Sequence, residues 1–382
     1  MKKIKVLYLI DTLEMGGAEN SLVDITSKFS NVEPVFIQIY VGDSLKPKLI
    51  ENGIRVYSLD FQEKYGYKKV IKKILNLIKE INPDVIHATL FRSVIISRKL
   101  KKTLSIPLVN SFTSNSYINT RYKNLSYLRR LKLRFIQWED LHTANLADIF
   151  VSNSKVIKEN NIRILNIEEK KILVIPRGRN SALFDPKNYD RELIKKEMGY
   201  EGKRILINVG RLIESKGQID LIQAFEKVSK NNPELLLLIA GEGKFRQNLE
   251  EKIKNLGLSD KVLLLGNRQD IPNLLAISEL FVFPTYLEGL PGSLIEAMMS
   301  KTPVICSNIP ENKECVPKKG AYFFNPGDIT ELSKLIENCL NKPDNSNLMI
   351  QRSYNYAIKN FELENISERY ENVYYDLLNL NK

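Results

Sequence analysis

Histidine, cysteine and tryptophan are scarce in this sequence of 382 residues, which holds two, three and one of them. His87 and His142 are too few for a histidine-rich metal site. Cys306, Cys315 and Cys339 have no metal-ligand spacing, and their odd number argues against a disulfide framework. We therefore expect buried, reduced thiols rather than disulfides or a cysteine-bound metal.

Long apolar runs are also missing, because no stretch approaches the ~20 consecutive apolar residues that a transmembrane helix needs. The N-terminal segment MKKIKVLYLIDTLEMGG begins like a secretory signal. However, Asp11 and Glu14 follow the apolar run at once, and no small-residue cleavage site is present. We interpret the run as a buried first strand and expect a cytoplasmic protein.

Charge is unevenly distributed along the chain. The formal net charge is +12, from 57 Lys/Arg and 45 Asp/Glu. Residues 1–180 hold 31 of these cations and 17 of the anions, a net charge of +14, which leaves −2 for the remainder. This asymmetry predicts an anionic partner for the N-terminal half, either a membrane surface, a phosphorylated acceptor or nucleic acid. No recognised nucleic-acid-binding motif accompanies the charge, so we do not expect nucleic acid.

Short apolar runs alternate with amphipathic helical patterns along the chain. Candidate strands of a first series lie at 4–10, 33–40, 54–59, 84–88, 107–112, 148–153 and 172–176. A second series lies at 204–210, 235–241, 261–266, 280–285, 303–308 and 321–325, and a helical stretch at 354–380 ends the chain. Such alternation predicts parallel sheets covered on both faces. We predict an α/β fold of two Rossmann-like, doubly wound domains joined through the turn-rich segment PRGRNSALFDP (176–186).

Glycine-containing turns follow the first strand of each series. Gly16 and Gly17 open a helix, where free N–H groups and the helix dipole favour phosphate. Many such turns use paired glycines for steric reasons only, and the dinucleotide fingerprint is absent. In the second series, Arg211 and Lys216 accompany the turn and suit a diphosphate and its departing charge. The alternative is that both side chains are merely solvated.

Two later turns also combine glycine with acidic residues. The segment AGEG (240–243) either permits close approach by a ligand or is a plain tight turn. The segment EGLPGSLIEAM (288–298) places Glu288 before a helix and Glu296 about two turns inside it. Carboxylates accept hydrogen bonds from vicinal hydroxyls, and N–H groups at a helix start suit sugar or phosphate oxygens. The alternative for Glu296 is an exposed helix residue, which its apolar neighbours argue against.

The chain resembles the retaining glycosyltransferases of family 4, which have the GT-B fold. The motifs that carry the resemblance occur in the same order as in the family. They are GGAE (16–19), GRL…KG (210–217), AGEG (240–243), GNRQDIP (266–272) and EGLPGSLIEAM (288–298). It implies two domains that face each other across a cleft. These are an N-terminal acceptor-binding domain at 1–178, on which a C-terminal helix at about 360–382 packs back, and a nucleotide-sugar-binding domain at 179–359.

The same resemblance implies roles for individual residues. Glu288, Arg211 and Lys216 are expected at the reacting centre, Glu296 at the ribose hydroxyls and Arg268 near the nucleobase. The expected donor-binding set is Gly16, Gly17, Arg211, Lys216, Gly241, Arg268, Glu288, Gly289, Leu290, Pro291, Gly292 and Glu296. Cations and helix dipoles would stabilise the leaving diphosphate, so we expect neither metal nor cofactor. The anomeric configuration would be retained by front-face departure and attack.

The chain departs from the family pattern at several positions. Thr89 and Thr113 stand where histidines are frequent, and a hydroxyl cannot act as a general base near neutral pH. His87 and Thr113 are our candidates for the acceptor or sugar site, with a structural role as the alternative for His87. Arg177 and Arg179 replace the more usual asparagine and aliphatic residue, and we expect them to meet a charged acceptor or to solvate the linker.

Two basic amphipathic stretches lie in the N-terminal half. At 68–80, an apolar stripe flanked by lysines is typical of a helix that covers a sheet, which is our interpretation. At 121–138, cations are interleaved with tyrosine, leucine, phenylalanine and tryptophan, a composition that suits an anionic membrane surface or a lipid-phosphate acceptor. A sheet-covering role is the alternative for this second stretch. In the membrane interpretation, the protein is peripheral on the inner face of the cell membrane.

The predicted function is transfer of a hexose or N-acetylhexosamine from a nucleotide sugar to a lipid-linked or saccharide acceptor in capsule or O-antigen synthesis. A UDP-sugar is the preferred donor and a GDP-sugar the next. One alternative is a GT-B-fold nucleotide-sugar epimerase, for which the histidine-poor half offers few acid or base groups. The other is a non-catalytic nucleotide-sugar-binding module, which Thr89 and Thr113 favour and the charged motif residues oppose.

Overall fold

The computed structural model describes residues 3–62, 67–118, 122, 125–341 and 347–379. The chain folds into two compact units. Unit 1 comprises Met1–Gly178 and Leu363–Lys382, and unit 2 comprises Arg179–Glu362. The chain therefore completes most of unit 1, builds unit 2, and returns to unit 1 for its last helix.

Unit 1 is built on a parallel sheet of seven strands. They are β1 (Ile4–Ile10), β2 (Val32–Tyr40), β3 (Arg55–Phe61), β4 (Val85–Thr89), β5 (Leu108–Phe112), β6 (Ile149–Ser152) and β7 (Ile172–Val174). The described helices between them are α1 (Gly17–Ser27), α2 (Lys46–Glu51), α3 (Tyr67–Ile81), α4 (Phe91–Lys101), α5 (Tyr127–Thr143) and α6 (Lys155–Leu165), with 3₁₀ helices at Ala144–Leu146 and Glu169–Lys171. The strand order is β3-β2-β1-β4-β5-β6-β7.

The uninterrupted apolar run of β1 supplies both faces of this sheet. Leu7 and Leu9 pack into one hydrophobic core, whereas Val6, Tyr8 and Ile10 pack into the other. Side chains alternate along a strand, so a strand with helices on both faces is apolar at successive positions. The N-terminal run is a buried strand, as the sequence analysis predicts.

Helix α3 covers one face of the sheet with the stripe of apolar side chains that its sequence predicts. Val70, Ile74 and Ile78 are buried in the core, while Lys72 and Lys79 on the opposite side are exposed. The sheet-covering interpretation of 68–80 is confirmed, because its apolar side is already occupied by the protein's own core.

Unit 2 contains a six-stranded parallel sheet. Its strands are β8 (Arg204–Val209), β9 (Leu235–Ala240), β10 (Val262–Gly266), β11 (Leu280–Phe283), β12 (Val304–Ser307) and β13 (Tyr322–Phe324). Its described helices are α7 (Arg191–Glu197), α8 (Gln218–Ser229), α9 (Arg246–Asn255), α10 (Ile271–Ile277), α11 (Gly292–Met299), α12 (Pro310–Cys315), α13 (Ile329–Asn341) and α14 (Asn347–Phe361), with 3₁₀ helices at Ser181–Leu183, Pro186–Asn188 and Glu214–Lys216. The order is β10-β9-β8-β11-β12-β13, with a hydrophobic core on each face.

Both sheets are doubly wound, as predicted. Each of the thirteen predicted strands is present, with bounds that differ by no more than a few residues. The strand order reverses between β1 and β4 in unit 1 and between β8 and β11 in unit 2. Open parallel sheets bind ligands at the carboxyl ends of strands beside such a reversal. Among the residues that the structure describes, no helix combines the length and apolarity needed to cross a bilayer.

The last helix, α15 (Leu363–Asn379), is anchored in unit 1 by polar contacts as well as by its apolar side. Glu371 Oε1 accepts hydrogen bonds from the backbone N–H groups of Asn31 and Val32, at 2.7 and 3.0 Å. Ser367 Oγ donates to the carbonyl oxygen of Ile25 at 3.0 Å. These contacts tie α15 to α1 and to the start of β2.

Candidate functional site

Lys216 and Glu288 form an ion pair beyond the carboxyl ends of β8 and β11. Lys216 Nζ donates to Glu288 Oε1, and the two side chains are only 14% and 9% exposed. Gly217 has a φ of +67°, and a Cβ there would lie 2.1 Å from the carbonyl oxygen of Pro284. Glycine is therefore required next to Lys216, because the turn presses against the chain that follows β11. Two residues predicted for the reacting centre are thus in direct contact.

Glu296 is paired with Arg179, a contact that the sequence analysis does not anticipate. Arg179 Nε donates to Glu296 Oε1 at 2.6 Å, and the side chains are 10% and 16% exposed. The interpretation of Glu296 as an exposed helix residue is therefore wrong. Solvation of the linker is also wrong for Arg179, since its guanidinium is largely buried against α11. A Cβ on Gly292, the first residue of α11, would lie 2.1 Å from Arg179 Nη2.

The turn between Glu288 and α11 presents mainly backbone to any ligand. Leu290 is buried in the core of unit 2, and Pro291 occupies the N-cap position of α11 in an extended conformation. Gly289 is partly exposed, whereas Gly292 is buried. The predicted contribution of Leu290 to donor binding is therefore restricted to its main chain.

The remaining predicted donor residues of unit 2 lie at the ends of β8, β9 and β10. Arg211 is exposed just after β8. Gly241 has a φ of +139°, and a Cβ there would lie 2.0 Å from the carbonyl oxygen of Gly210. Gly241 N–H also donates to the carbonyl oxygen of Gly266 at 2.8 Å, so Gly241 bridges the ends of β9 and β10, and its contribution to donor binding stays a prediction. Arg268 is held by Asp270 through Nε–Oδ1 at 2.7 Å, and this pairing lowers the pKa of the Asp270 carboxyl.

In unit 1, the GGAE turn begins α1 with Gly16 at the N-cap position. A Cβ on Gly16 would lie 2.1 Å from Glu19 Oε2, and one on Gly17 would lie 2.6 Å from Arg177 Nη1. Each glycine therefore makes room for a neighbouring side chain. The structure adds a cation beside the predicted phosphate turn, because the Arg177 guanidinium lies against Gly17.

His87 is a core residue, so the structural interpretation is the one that the geometry supports. Its side chain is fully buried, with Nδ1 2.7 Å from the Tyr374 hydroxyl and Nε2 2.7 Å from Ser111 Oγ. The Tyr374 hydroxyl is in turn 2.5 Å from that of Tyr8. The prediction of His87 as a sugar-contacting residue is corrected, because both ring nitrogens are engaged inside unit 1. Burial lowers the pKa of His87 from 6.5 to about 3.

This buried histidine predicts that unit 1 loses stability in mild acid. The unfolded chain binds a proton at His87 below pH 6.5, whereas the folded chain does so only near pH 3, so the stabilisation is complete above 6.5 and declines as the pH falls. We expect the free energy of unfolding, measured with urea, to fall between pH 7 and pH 5. The His87→Asn variant is the control, because it should show a shallower decline. An equal slope in both proteins would remove His87 as the cause.

Thr113, the other predicted sugar-site residue, borders two cavities of unit 1. The smaller cavity measures about 30 Å³ and is also lined by Thr89, Asn153 and Arg177. Thr89 Oγ1 and Asn153 Oδ1 are buried without a hydrogen-bond partner among the described residues. A cavity of this size admits one water molecule, the usual partner of such groups. Thr89 is thus a buried strand-end residue rather than an exposed replacement for a catalytic histidine.

The larger cavity, of about 590 Å³, lies at the carboxyl ends of β1 to β5. Its wall combines aromatic rings, hydroxyl groups and charges, including those of Asp11, Arg92, Thr113, Tyr117 and Asp140. Its volume is in the range typical of small-molecule sites. Of the residues in this wall, only Thr113 is predicted from the sequence. Asp11 could also have been predicted, because it is a carboxylate directly after the first strand of a doubly wound sheet.

Asp11 fixes one edge of the larger cavity. Asp11 Oδ1 accepts hydrogen bonds from the backbone N–H and the hydroxyl of Ser93, at 2.7 and 2.6 Å. Asp11 Oδ2 accepts the backbone N–H of Arg92 at 3.3 Å. Burial raises the pKa of this carboxyl, and the three donors oppose that shift. The carboxylate thereby caps α4 and orients Arg92, whose guanidinium lies 5.1 Å from the centre of the Tyr40 ring.

The described residues contain no cluster of three or more His, Cys, Asp or Glu side chains with the arrangement of a metal site. The two glutamates of EGLPGSLIEAM are paired with cations within unit 2, Glu288 with Lys216 and Glu296 with Arg179.

Two family profiles match the chain, one on each half. Residues 15–183 match the profile described as Glycosyltransferase Family 4, and residues 190–356 match that described as Glycosyl transferases group 1. The chain belongs to the family 4 glycosyltransferases. Two matched parts and two doubly wound sheets confirm the family and the enzyme class that the sequence motifs predict.

Relatives and solved structures agree with this assignment. UDP-Gal:alpha-D-GlcNAc-diphosphoundecaprenol alpha-1,3-galactosyltransferase of Escherichia coli is 24% identical over 346 residues, which are 89% of this chain and 86% of that protein. The capsular polysaccharide biosynthesis glycosyltransferase CapH of Staphylococcus aureus is 28% identical over 318 residues, 81% and 83% of the two chains. The structure of Anabaena Alr3699/HepE in complex with UDP and glucose has a TM-score of 0.84 at 20% identity, covering 97% of this chain and 99% of that one. The fold is therefore GT-B, as predicted.

Proposed function

We propose that this glycosyltransferase transfers a hexose or N-acetylhexosamine from a UDP-sugar to a lipid-linked or saccharide acceptor in surface polysaccharide synthesis. The observation that carries the proposal is the pairing of both glutamates of EGLPGSLIEAM with cations in unit 2, Glu288 with Lys216 and Glu296 with Arg179. A diphosphate needs cations, and sugar and ribose hydroxyls need carboxylates. A UDP-sugar is favoured because the E. coli relative is named for UDP-Gal and the Anabaena structure contains UDP.

The proposed roles follow from this chemistry. Lys216 and Arg211 stabilise the negative charge that develops on the departing diphosphate, so no metal is required. Glu288 and the backbone of Gly289 hold the transferred sugar, and Glu296 holds the ribose. With retention, the bond from the anomeric carbon to the diphosphate oxygen breaks on the face where the acceptor oxygen forms the new bond. The acceptor proton passes to the departing phosphate oxygen.

We propose the larger cavity of unit 1 as the acceptor site. Aromatic rings and hydroxyl groups suit a saccharide ring, while Arg92 suits an anionic group such as a diphosphate linkage. The name of the E. coli relative specifies a sugar linked through a diphosphate to a polyprenol, which combines these two chemistries. The acceptor of this chain belongs to the same class in our proposal.

The donor assignment is tested by thermal shift with UDP and GDP, followed by product analysis. UDP at 100 times its Kd is expected to stabilise the unit that binds it by ~2.7 kcal/mol. Acceptor-dependent release of UDP from a UDP-sugar would support transfer. A UDP-sugar incubated without acceptor should stay unepimerised, since an epimerised product would instead support an epimerase. Stabilisation by GDP but not UDP would overturn the choice of nucleotide.

We also propose that α5 contacts an anionic membrane surface, which places the protein on the inner face of the cell membrane. Leu128, Phe135 and Trp138 are 77%, 64% and 55% exposed and lie on one side of the helix. Leu133 and Asp140, on the other side, are buried. The predicted stretch began at 121, but Arg121 and Lys123 lie outside the described residues.

Charge reversal on α5 should weaken binding to lipid. Arg129 and Arg134 are exposed on this helix, and a cation near an anionic surface contributes ~1 kcal/mol. We expect Arg129→Glu/Arg134→Glu to lower co-sedimentation with phosphatidylglycerol vesicles by at least about tenfold. Higher salt should weaken binding of the unmodified protein.

The matched control is Lys72→Glu/Lys79→Glu, which reverses two exposed lysines on α3 without touching α5. This variant should retain most of the vesicle binding. Equal losses in the two variants would assign the effect to overall charge and remove α5 as the contact surface.

A further inference from the structure

Arg179 touches the carboxylate proposed to hold the donor ribose, although 117 positions separate Arg179 from Glu296. Arg179 Nε donates a short hydrogen bond to Glu296 Oε1, at 2.6 Å. Both side chains are largely buried, so the carboxylate would carry a substantial desolvation cost without this partner. An ionised carboxylate offers about four lone-pair positions, and even a bidentate arginine occupies only two of them, so acceptor positions remain for a ligand.

The position of Arg179 is fixed by its surroundings in unit 2. Its backbone N–H donates to the carbonyl oxygen of Phe361 at 2.7 Å, and its main chain forms an isolated bridge with Glu362. Its guanidinium lies so close to Gly292 that a Cβ there would be 2.1 Å from Nη2 and 3.1 Å from Cζ. The arginine is therefore held at its backbone and at its side chain, and the second glycine of the GLPG turn provides its space.

We infer that Arg179 is a positioning residue for the donor nucleotide: it orients the Glu296 carboxylate so that the remaining lone pairs face the ribose hydroxyls. The inference rests on the proposed function and deepens it. A flexible glutamate loses rotational freedom when it binds a ligand, and a partner that fixes it beforehand lowers this cost. The arginine thus affects affinity for the ribose without touching the nucleotide.

The test compares the Kd of UDP with that of 2′-deoxy-UDP by isothermal titration calorimetry. The unmodified protein should prefer UDP by about tenfold, the usual worth of one hydrogen bond to a charged group. Glu296→Ala should bind both nucleotides with nearly equal affinity. Arg179→Ala should lose most of the same preference. If Arg179 had a merely structural role, its replacement would raise the Kd values of both nucleotides by the same factor and leave their ratio unchanged. That result would overturn the inference.

Conservative variants strengthen the measurement. Arg179→Lys retains a cation without the planar fork of arginine, so we expect it to restore part of the preference. Arg179→Met serves if the alanine variant does not fold, because methionine keeps much of the side-chain bulk but cannot donate to Glu296. A Met variant that binds both nucleotides more weakly by the same factor would count against the positioning role.

Two further variants provide controls. Arg204 and Glu279 form a comparable pair in unit 2, at 2.8 Å, at the amino end of β8. Arg204→Ala should keep the full preference for UDP. Gly292→Ala should lower the preference by displacing the Arg179 guanidinium, and this effect should vanish in an Arg179→Ala background. Additive losses in the double variant would contradict the proposed contact.

Failure of this inference is distinguishable from failure of the proposed function. If the unmodified protein binds neither UDP nor GDP, both are wrong. If it binds GDP instead, the same comparison with 2′-deoxy-GDP applies. If Glu296→Ala loses the preference and Arg179→Ala keeps it, the donor site stands and only the role of Arg179 is overturned.

Discussion

Replacing Lys216 with alanine is expected to lower kcat for sugar transfer by about 10²–10³-fold, the typical effect of removing one group that stabilises charge in the transition state. Lys216 is the cation that contacts Glu288 of the EGLPGSLIEAM segment, and the pair is largely buried. The proposed leaving group is a diphosphate whose charge increases as the bond to the sugar breaks. Initial rates of UDP release, measured with both donor and acceptor at saturating concentration, give the change in kcat directly.

Two controls separate a catalytic loss from misfolding. Removing Lys216 leaves the buried Glu288 carboxylate without its partner, so the thermal unfolding of Lys216→Ala must be measured beside its activity. Lys216→Ala/Glu288→Ala should recover stability but not activity. Lys230→Ala removes an exposed pair with Glu226 in the same unit and should change neither. A folded Lys216→Ala enzyme with kcat within threefold of the original would remove Lys216 from the reacting centre.

Structural features that depend on residues close together in the sequence were predictable from the sequence. The apolar run of β1 and the stripe of α3 depend on side chains spaced along one element, and both fold as their patterns indicate. The same applies to Glu288 and Lys216, because each lies in the segment between a strand of a doubly wound sheet and the next α-helix. Parallel strands bring their carboxyl ends to one edge, so residues 72 positions apart meet there.

Features caused by distant segments were not predictable. A histidine within β4 has the same sequence pattern whether it faces a ligand or the core, and the burial of His87 depends on Tyr374 in α15. The predicted helix at 354–380 is interrupted at Glu362, where the backbone of Arg179 forms a bridge. Arg179 itself pairs with Glu296 across 117 positions. Local periodicity carries no information about such contacts, because they form only when segments that are distant in the sequence come together in the fold.

Replacing Arg98 with alanine should destabilise unit 1 by about 3–5 kcal/mol, the usual cost of leaving one member of a buried ion pair alone. Arg98 is fully buried and donates from Nη1 to Asp140 Oδ1 at 2.5 Å and from Nε to Asn110 at 2.8 Å. Asp140 also accepts the Tyr117 hydroxyl at 2.8 Å, and these two residues line the proposed acceptor cavity. Loss of Arg98 should therefore also raise the KM for the acceptor.

The single tryptophan makes this loss measurable, because Trp138 lies in α5 one turn before His142 and close in sequence to Asp140. Urea unfolding followed by its fluorescence reports unit 1, so a separate transition of unit 2 does not enter the result. The control is Arg55→Ala, which breaks the exposed pair with Glu33 in the same unit and should cost less than ~1 kcal/mol. Similar midpoints for Arg98→Ala and Arg55→Ala would show that the buried pair contributes no more than a surface pair. The Arg98–Asp140 pair would then not be what holds Asp140 in the wall of the acceptor cavity.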